Sequence, residues 1–374
     1  MHLALGLLTL FPGRSGGTET YARALVRELG RDPRGERVTV LANDRVAAAL
    51  DAPHPPVHVV ETYRTGDSPA TRLLAMSSAL LAPRVVARDV PPGIDLVHHP
   101  VTIPIPRVAG AARVVSLNDV QHHELPEFFS RGERTFRRVA YDRAARRADH
   151  VLTLSEHARG QIVARLGIDA ARVTAIPCAV DHERFAPTPD EHDAALPPLP
   201  ERFVLYPANL WPHKNHARLL RAFARVSDHD VHLVLTGQTY GRPLPGPPDG
   251  RVHHLGHIDF AVIPALYRRA TALVFPSLFE GFGMPLVEAM ASGCPVAASD
   301  RGAIAEVCGD AALGFDPTSE EAIAAAIGRI VSDDALRARL RAAGLERAAR
   351  FRWDDVADRH VDVYRRVLTA RMAR

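Results

Sequence analysis

The chain has 374 residues, more than the ~250–300 at which a single core stops growing, so two domains are expected. A composition of 47% hydrophobic and 24% charged residues excludes a disordered or fibrous protein. A net charge of +3 is too small to argue for nucleic acid, and three distant cysteines (Cys178, Cys294, Cys308) without CxxC spacing exclude a disulfide framework and fit a reducing, cytoplasmic setting.

The first apolar run, 3–11, lacks a basic lead and is far shorter than the ~20 residues of a membrane span, so it is expected to be a buried strand. Up to about residue 177, short apolar runs at 3–8, 38–42, 57–60, 95–98, 114–117, 151–154 and 173–176 alternate with amphipathic stretches, notably 20–29, 72–87 and 134–147. That is the pattern of βα units forming a parallel sheet. The segment PTPDEHDAALPPLP, 187–200, is rich in proline and acid and is expected to be a linker or surface loop. A second alternation follows, with strands at 203–207, 231–236, 252–255, 272–275, 296–298 and 312–315 and helices including 217–226, 285–291 and 320–330. The expected fold is α/β: two Rossmann-like, doubly wound parallel-sheet domains facing across a cleft, with ligands at the carboxyl ends of the strands. The expected division is 1–180 and 181–352.

The densest motif is SLFEGFGMPLVEAMASGC, 277–294. A strand, a glycine-bearing turn and then Pro285 at a first helical position build a helix start whose free amides, at Gly283 and Met284, face an anion such as a diphosphate. Gly281 and Gly283 permit close backbone approach, with Phe282 between them. Glu280 and Glu288 are both able to line one pocket and accept hydrogen bonds from hydroxyls. A second motif, ANLWPHKNH, 208–216, ends a strand and places Lys214 where a cation stabilises charge on a leaving diphosphate. In SGGTETYARAL, 15–25, Gly16 and Gly17 fit a tight turn ahead of Thr18 that suits either a phosphate or acceptor contact or simple helix capping. A fourth segment, SLNDVQHHELPEFFS, 116–130, offers Asn118, Asp119 and His122 after a strand.

The spacing of Glu280 and Glu288 within EGFGMPLVE resembles the E-x7-E motif of family 4 retaining glycosyltransferases. The resemblance, joined by DRGAIAEVCGDAALGFDP at 300–317, runs from Gly6 to about Asp316. It implies the GT-B fold, with the donor bound by the second domain and the acceptor by the first. It also implies that Glu280 holds the donor sugar hydroxyls and Glu288 the ribose hydroxyls. Lys214 matches the family's lysine, whereas Asn209 stands where an arginine is usual and Asn118 where a histidine is usual. By this resemblance Glu280, Lys214 and Asn118 are the catalytic candidates. Gly17, Asn209, Gly281, Phe282, Gly283, Met284, Glu288 and His257 join the donor contacts. Gly16, Thr18, Asp119 and His122 are acceptor candidates. His257, after Gly256 at a strand end, has either the nucleobase or plain solvent as its neighbour, and His213 or His216, if protonated, would replace part of the missing arginine charge. The C-terminal helix, 353–374, is expected to return to the first domain.

No metal site is expected, because no HExxH spacing occurs and adjacent histidines such as His98/His99, His122/His123 and His253/His254 would diverge on a strand. No cofactor is expected beyond the nucleotide diphosphate sugar that serves as donor. The basic stretch 131–147, with Arg131, Arg134, Arg137, Arg138, Arg143, Arg146 and Arg147, suits either a solvated face or peripheral contact with an anionic membrane. The expected activity is retaining, metal-independent transfer of a hexose or deoxyhexose, mannosyl- or rhamnosyl-like, to a glycan, lipid-linked or small-molecule acceptor. The alternatives are a nucleotide-sugar epimerase or a non-catalytic nucleotide-sugar binding protein. A dehydrogenase is disfavoured by the lack of GxGxxG after the first strand.

Overall fold

The computed structural model describes residues 1–13, 16–66, 68–190, 193, 196–245 and 249–373; Ser15 and much of the acidic half of 187–200 lie outside them. The chain forms two compact units, Met1–Cys178 with Trp353–Arg374, and Ala179–Arg352.

The first unit is built on β1 (His2–Gly6), β2 (Arg37–Ala42), β3 (Val57–Val59), β4 (Leu96–His99), β5 (Ala112–Ser116), β6 (His150–Thr153) and β7 (Val173–Ala175). They pair in parallel in the order β3-β2-β1-β4-β5-β6-β7. In the second unit β8 (Phe203–Pro207), β9 (His232–Thr236), β10 (Val252–His254), β11 (Ala272–Phe275), β12 (Val296–Ser299) and β13 (Ala312–Phe315) follow the order β10-β9-β8-β11-β12-β13, also all parallel. Both are doubly wound sheets. The central strands are buried along their whole length, as in Leu3, Ala4 and Leu5 of β1 and all of β11, because helices cover both faces. Every strand read from the sequence is present, with ends displaced by at most two residues.

Three expectations need correction. The expected helix 72–87 is two helices, Pro69–Leu81 and Pro83–Ala87. Pro83 has no amide hydrogen and pushes Ala82 out of helical geometry, to φ −120° and ψ 58°. The basic helix begins at Arg131, under a capping box of Ser130 and Glu133, and is interrupted by a π-helical turn over Arg138–Asp142. The proline-rich segment is not the linker between the units. The chain passes from one unit to the other at Cys178, and Arg268 ties the segment to the second unit through Asp190 at 3.0 Å and Asp193 at 2.9 Å.

The last helix, Trp353–Met372, packs in the first unit against the helix Gly17–Arg31. A chain of buried polar groups joins it to the sheet, and its proton positions follow from one carbonyl. Val356 O can only accept, so His360 Nδ1, at 2.7 Å, carries the hydrogen. Burial holds His360 at about 4, so near pH 7 the ring is neutral and its Nε2 accepts from Tyr21 Oη at 2.7 Å. Tyr21, its one hydrogen spent, accepts from Ser116 Oγ at 3.2 Å. Ser116 in turn accepts from His98 Nε2 at 2.9 Å, and His98 Nδ1 accepts from Tyr364 Oη at 2.7 Å. This direction is the one that neutral imidazoles at both positions allow. Burial depresses both: His360 to about 4, and His98 well below its ordinary value, helped by His360 and His99.

Replacing Tyr364 by Phe leaves the buried Nδ1 of His98 without a donor and is expected to cost about 1–3 kcal/mol in urea unfolding. The pH dependence has a definite sign. Because His98, His99, His150 and His360 all have lowered folded-state values, the unfolded chain binds protons first. Stability is therefore expected to fall as pH drops below about 6.5, with a slope shallower by about one proton in His360→Gln.

Candidate functional site

β8 and β11 are neighbours in the second sheet although β9 and β10 lie between them in sequence. This is the switch point of a doubly wound sheet, where the loops leaving adjacent strands diverge and leave room for a ligand. The loop after β8 makes a short 3₁₀ turn, Pro212–Lys214, ending at Asn215 in the left-handed region at φ 62°. Asn215 donates its buried side-chain amide to the carbonyls of Pro276 (3.0 Å) and Pro317 (2.8 Å). Tyr206 Oη donates to Lys214 O at 2.8 Å, and the amide of Leu278 donates to His213 O at 2.8 Å. Held in this way, Lys214 Nζ stands 2.6 Å from Glu280 Oε1, with 16% and 13% of the two side chains exposed. The Phe275 ring lies 5.6 Å from the ammonium. The structure thus brings together two of the three catalytic candidates.

Beyond Glu280 and Gly281 the chain turns at Gly283, φ 104°, into the helix Met284–Ala291, whose start no side chain caps. A Cβ on Gly283 would meet Leu286 Cδ1 at 2.7 Å, so glycine is required there for two reasons. An uncapped start, with Pro285 in its first turn, suits an anionic ligand. Phe282 is turned inward, edge-on to Phe351 at 5.6 Å, which leaves only its backbone for a ligand. Glu288 lies on the second turn of the helix that starts at Met284. It is 6% exposed and accepts from Tyr267 Oη at 3.0 Å. Burial pushes its carboxyl up to about 7, against the hydrogen bond from Tyr267 and the charge of Arg184.

Asn209 acts as a clamp. Its Oδ1 accepts from the amide of Gln238 at 2.7 Å and its Nδ2 donates to Tyr240 Oη at 3.3 Å, closing the loop after β8 on the loop after β9. Gly237 allows the two loops to touch, since a Cβ there would lie 2.6 Å from Ala208 O. His257 is exposed on the turn after β10. His216 cannot lend a positive charge: burial holds it at about 4, so it is neutral near pH 7.

In the first unit Gly16, at φ 53°, precedes the helix that starts at Gly17, and among the described residues nothing beyond the adjoining chain lies within 4 Å of a Cβ built on either. Asn118 Nδ2 donates to Thr18 Oγ1 at 3.2 Å, joining the glycine turn to the segment after β5. Asp119 Oδ1 accepts from the amide of Gln121 at 2.9 Å and so starts the short helix Gln121–Glu124. That helix corrects two expectations. His122 faces inward and is completely buried, which removes it from direct acceptor contact. Adjacent histidines on a helical turn converge instead of diverging: His122 Nε2 and His123 Nε2 reach the two oxygens of Asp142 at 3.0 and 2.8 Å, with the ligating atoms all within 4.8 Å, a spacing a metal ion could also take. Burial works to raise Asp142, but the two imidazole hydrogen bonds outweigh it and hold the carboxyl below its ordinary value.

Sequence reasoning passed over Asn215, Tyr267 and Asp142. Asn215 was open to it, since asparagine tolerates the left-handed turn that a Pro-x-Lys-Asn run needs. The other two find their partners only through packing between helices.

Two parallel-sheet units, the second presenting a lysine–glutamate pair beside a helix start, are the arrangement of the GT-B glycosyltransferases. The family model for glycosyltransferase family 4 matches residues 15–184 and that for glycosyl transferases group 1 matches 188–347. Among relatives, O-antigen chain mannosyltransferase B of Escherichia coli is 28% identical over 312 residues, 78% of this chain and 80% of that protein. The phosphatidyl-myo-inositol mannosyltransferase of Mycobacterium leprae is 33% identical over 227 residues, 59% of each. Among solved structures, sucrose-phosphate synthase from Thermosynechococcus elongatus superposes with a TM-score of 0.80 at 22% identity, over 99% of this chain and 100% of that one. Anabaena HepE in complex with UDP-glucose gives 0.73 at 20%, over 97% and 99%. The chain belongs to the family 4, group 1 glycosyltransferases.

A raised carboxyl favours the protonated form in the folded chain, so burying Glu288 costs progressively more stability as pH rises from about 4.5 through 7. Glu288→Gln is therefore expected to melt close to wild type at pH 5 and several degrees higher at pH 8, measured by differential scanning calorimetry.

Proposed function

We propose that the protein is a retaining, metal-independent mannosyltransferase that moves mannose from a nucleoside diphosphate to a hydroxyl-bearing acceptor. The observation that carries this reading is the 2.6 Å contact between Lys214 and Glu280 beside the uncapped start of Met284–Ala291. A diphosphate placed there meets an ammonium and the positive end of a helix. The neighbouring carboxylate of Glu280, its ammonium partner now shared with phosphate, accepts from sugar hydroxyls.

In the step itself the anomeric carbon–phosphate oxygen bond breaks and a bond to the acceptor oxygen forms on the same face. The acceptor proton passes to the departing phosphate oxygen, so no protein nucleophile is consumed. Lys214 and the helix start stabilise the charge that grows on the leaving diphosphate, which is where a fixed cation lowers the barrier. Glu288, on the same helix, is assigned to the ribose hydroxyls, with Tyr267 holding its carboxyl in place. Asn209, committed to the two loops, supplies geometry where a second charge is usual in the family. Mannose is favoured over other sugars because several relatives, among them those at 28%, 30% and 33% identity, are named as mannosyltransferases. An acceptor in a surface polysaccharide fits those named for O-antigen chains.

Turnover with GDP- and UDP-linked mannose and glucose, with anomeric configuration followed by NMR, tests the proposal. A mannosyl donor should be consumed with the α configuration kept, at undiminished rate in EDTA. Lys214→Ala and Glu280→Gln should each lower kcat/KM by about 100-fold or more. Unimpaired transfer by both variants, or formation of an epimer with no acceptor added, would sink it.

A further inference from the structure

A cavity of about 440 Å³ opens at the carboxyl ends of β1, β3 and β4 in the first unit, at that sheet's own switch point between β1 and β4. Its size falls in the ~300–1,000 Å³ range of small-molecule sites. The lining alternates hydroxyls with apolar surface. Thr9, Thr18, Tyr63, Thr65 and Tyr141 supply the hydroxyls, and Phe136 belongs to the apolar wall. Among the described residues the lining contains no carboxylate and one cation, Arg137.

Arg137 is held in an unusual way. Its guanidinium lies 4.6 Å from the Phe129 ring centroid and 5.5 Å from that of Tyr141. These ring contacts leave its N–H groups uncommitted, and among the described residues no hydrogen bond or ion pair uses them. The residue is half-buried. Glu133, one turn earlier, lies within electrostatic reach, but among the described residues no ion pair joins it to Arg137; a half-buried guanidinium left in this way is a position for an anion, and its fork fits two oxygens of a phosphate. The backbone supports this placement. The helix Arg131–Arg137 runs directly into the π turn Arg138–Asp142, which directs Tyr141 to the cavity while Asp142 is anchored beneath by His122 and His123. π turns often mark functional sites.

We infer that this cavity is the acceptor site and that Arg137 selects an acceptor carrying a phosphate next to its hydroxyls, with the polyol part against Thr18, Thr65 and the aromatic wall. The inference rests on the reading of the chain as a sugar transferase whose acceptor lies in the first unit. The shared chemistry of such an acceptor is a phosphate ester of a polyol, whether a free sugar phosphate or a lipid headgroup.

The test is calorimetric titration of the full-length protein in saturating GDP, which takes the donor site out of competition. The probes are mannose 6-phosphate, mannose, and phosphatidylcholine vesicles with and without phosphatidylglycerol. Wild type is expected to bind a phosphate-bearing probe about tenfold or more tightly than its neutral counterpart. That preference should disappear in Arg137→Gln and return in part in Arg137→Lys, with GDP affinity unchanged in both. Arg137-dependent binding of the sugar phosphate identifies a free acceptor, and of the anionic vesicles a lipid one; either supports the inference. No phosphate preference in wild type, or one that survives in Arg137→Gln, overturns it. Loss of GDP binding by the wild-type protein would instead overturn the donor assignment, which the GDP titration reads separately.

Discussion

The adjacency of β8 and β11 is the constraint on which the candidate site depends. Two strands separated by more than sixty residues of chain lie edge to edge, and their outgoing loops carry a lysine and a glutamate that meet at 2.6 Å. Neither loop would hold its side chain alone. Asn215 ties one to the other through Pro276, and the Leu278 amide ties them again at His213, so the ion pair rests on backbone hydrogen bonds and not on two flexible side chains finding each other. A pair this shielded from solvent is worth more electrostatically than the same pair in water, and it costs more to leave one member alone. The proposed donor would keep both groups partnered, its diphosphate on the ammonium and its sugar hydroxyls on the carboxylate.

The first unit shows the same reliance on buried, fully assigned polar contacts. From the Val356 carbonyl the hydrogens along His360, Tyr21, Ser116, His98 and Tyr364 can be placed in one direction only, with neutral imidazoles at both positions. That chain fastens the last helix to the sheet that opens the sequence. Nearby, Asp142 accepts from two histidines and anchors a π turn whose other side presents Tyr141 to the cavity. One set of contacts secures the architecture and the other shapes the cavity wall, and in both a single unmatched partner would be expensive.

The sequence by itself determined the architecture. Strands buried on both faces are written as short runs of Val, Leu, Ile and Ala between turn residues, and that local pattern needs no knowledge of what lies beside it. The glycines of 281–283, Pro285 after them and Lys214 after β8 were likewise legible, because a helix start and a strand end are local events. The break at Pro83 was legible in principle for the same reason.

Tertiary structure alone decided the partners. Nothing in the spacing of Glu288 announces Tyr267, and nothing in a pair of histidines announces that a short helix will turn both toward Asp142. The asparagine at 209 is explained only by the loop folded against it. The π turn that follows Arg137 and ends at Asp142 has no sequence signature, since the extra residue per turn is selected by what each side chain can reach. Periodicity is a property of the chain, whereas pairing across a sheet or between helices depends on which surfaces are brought together, and that is settled only when the whole unit has packed.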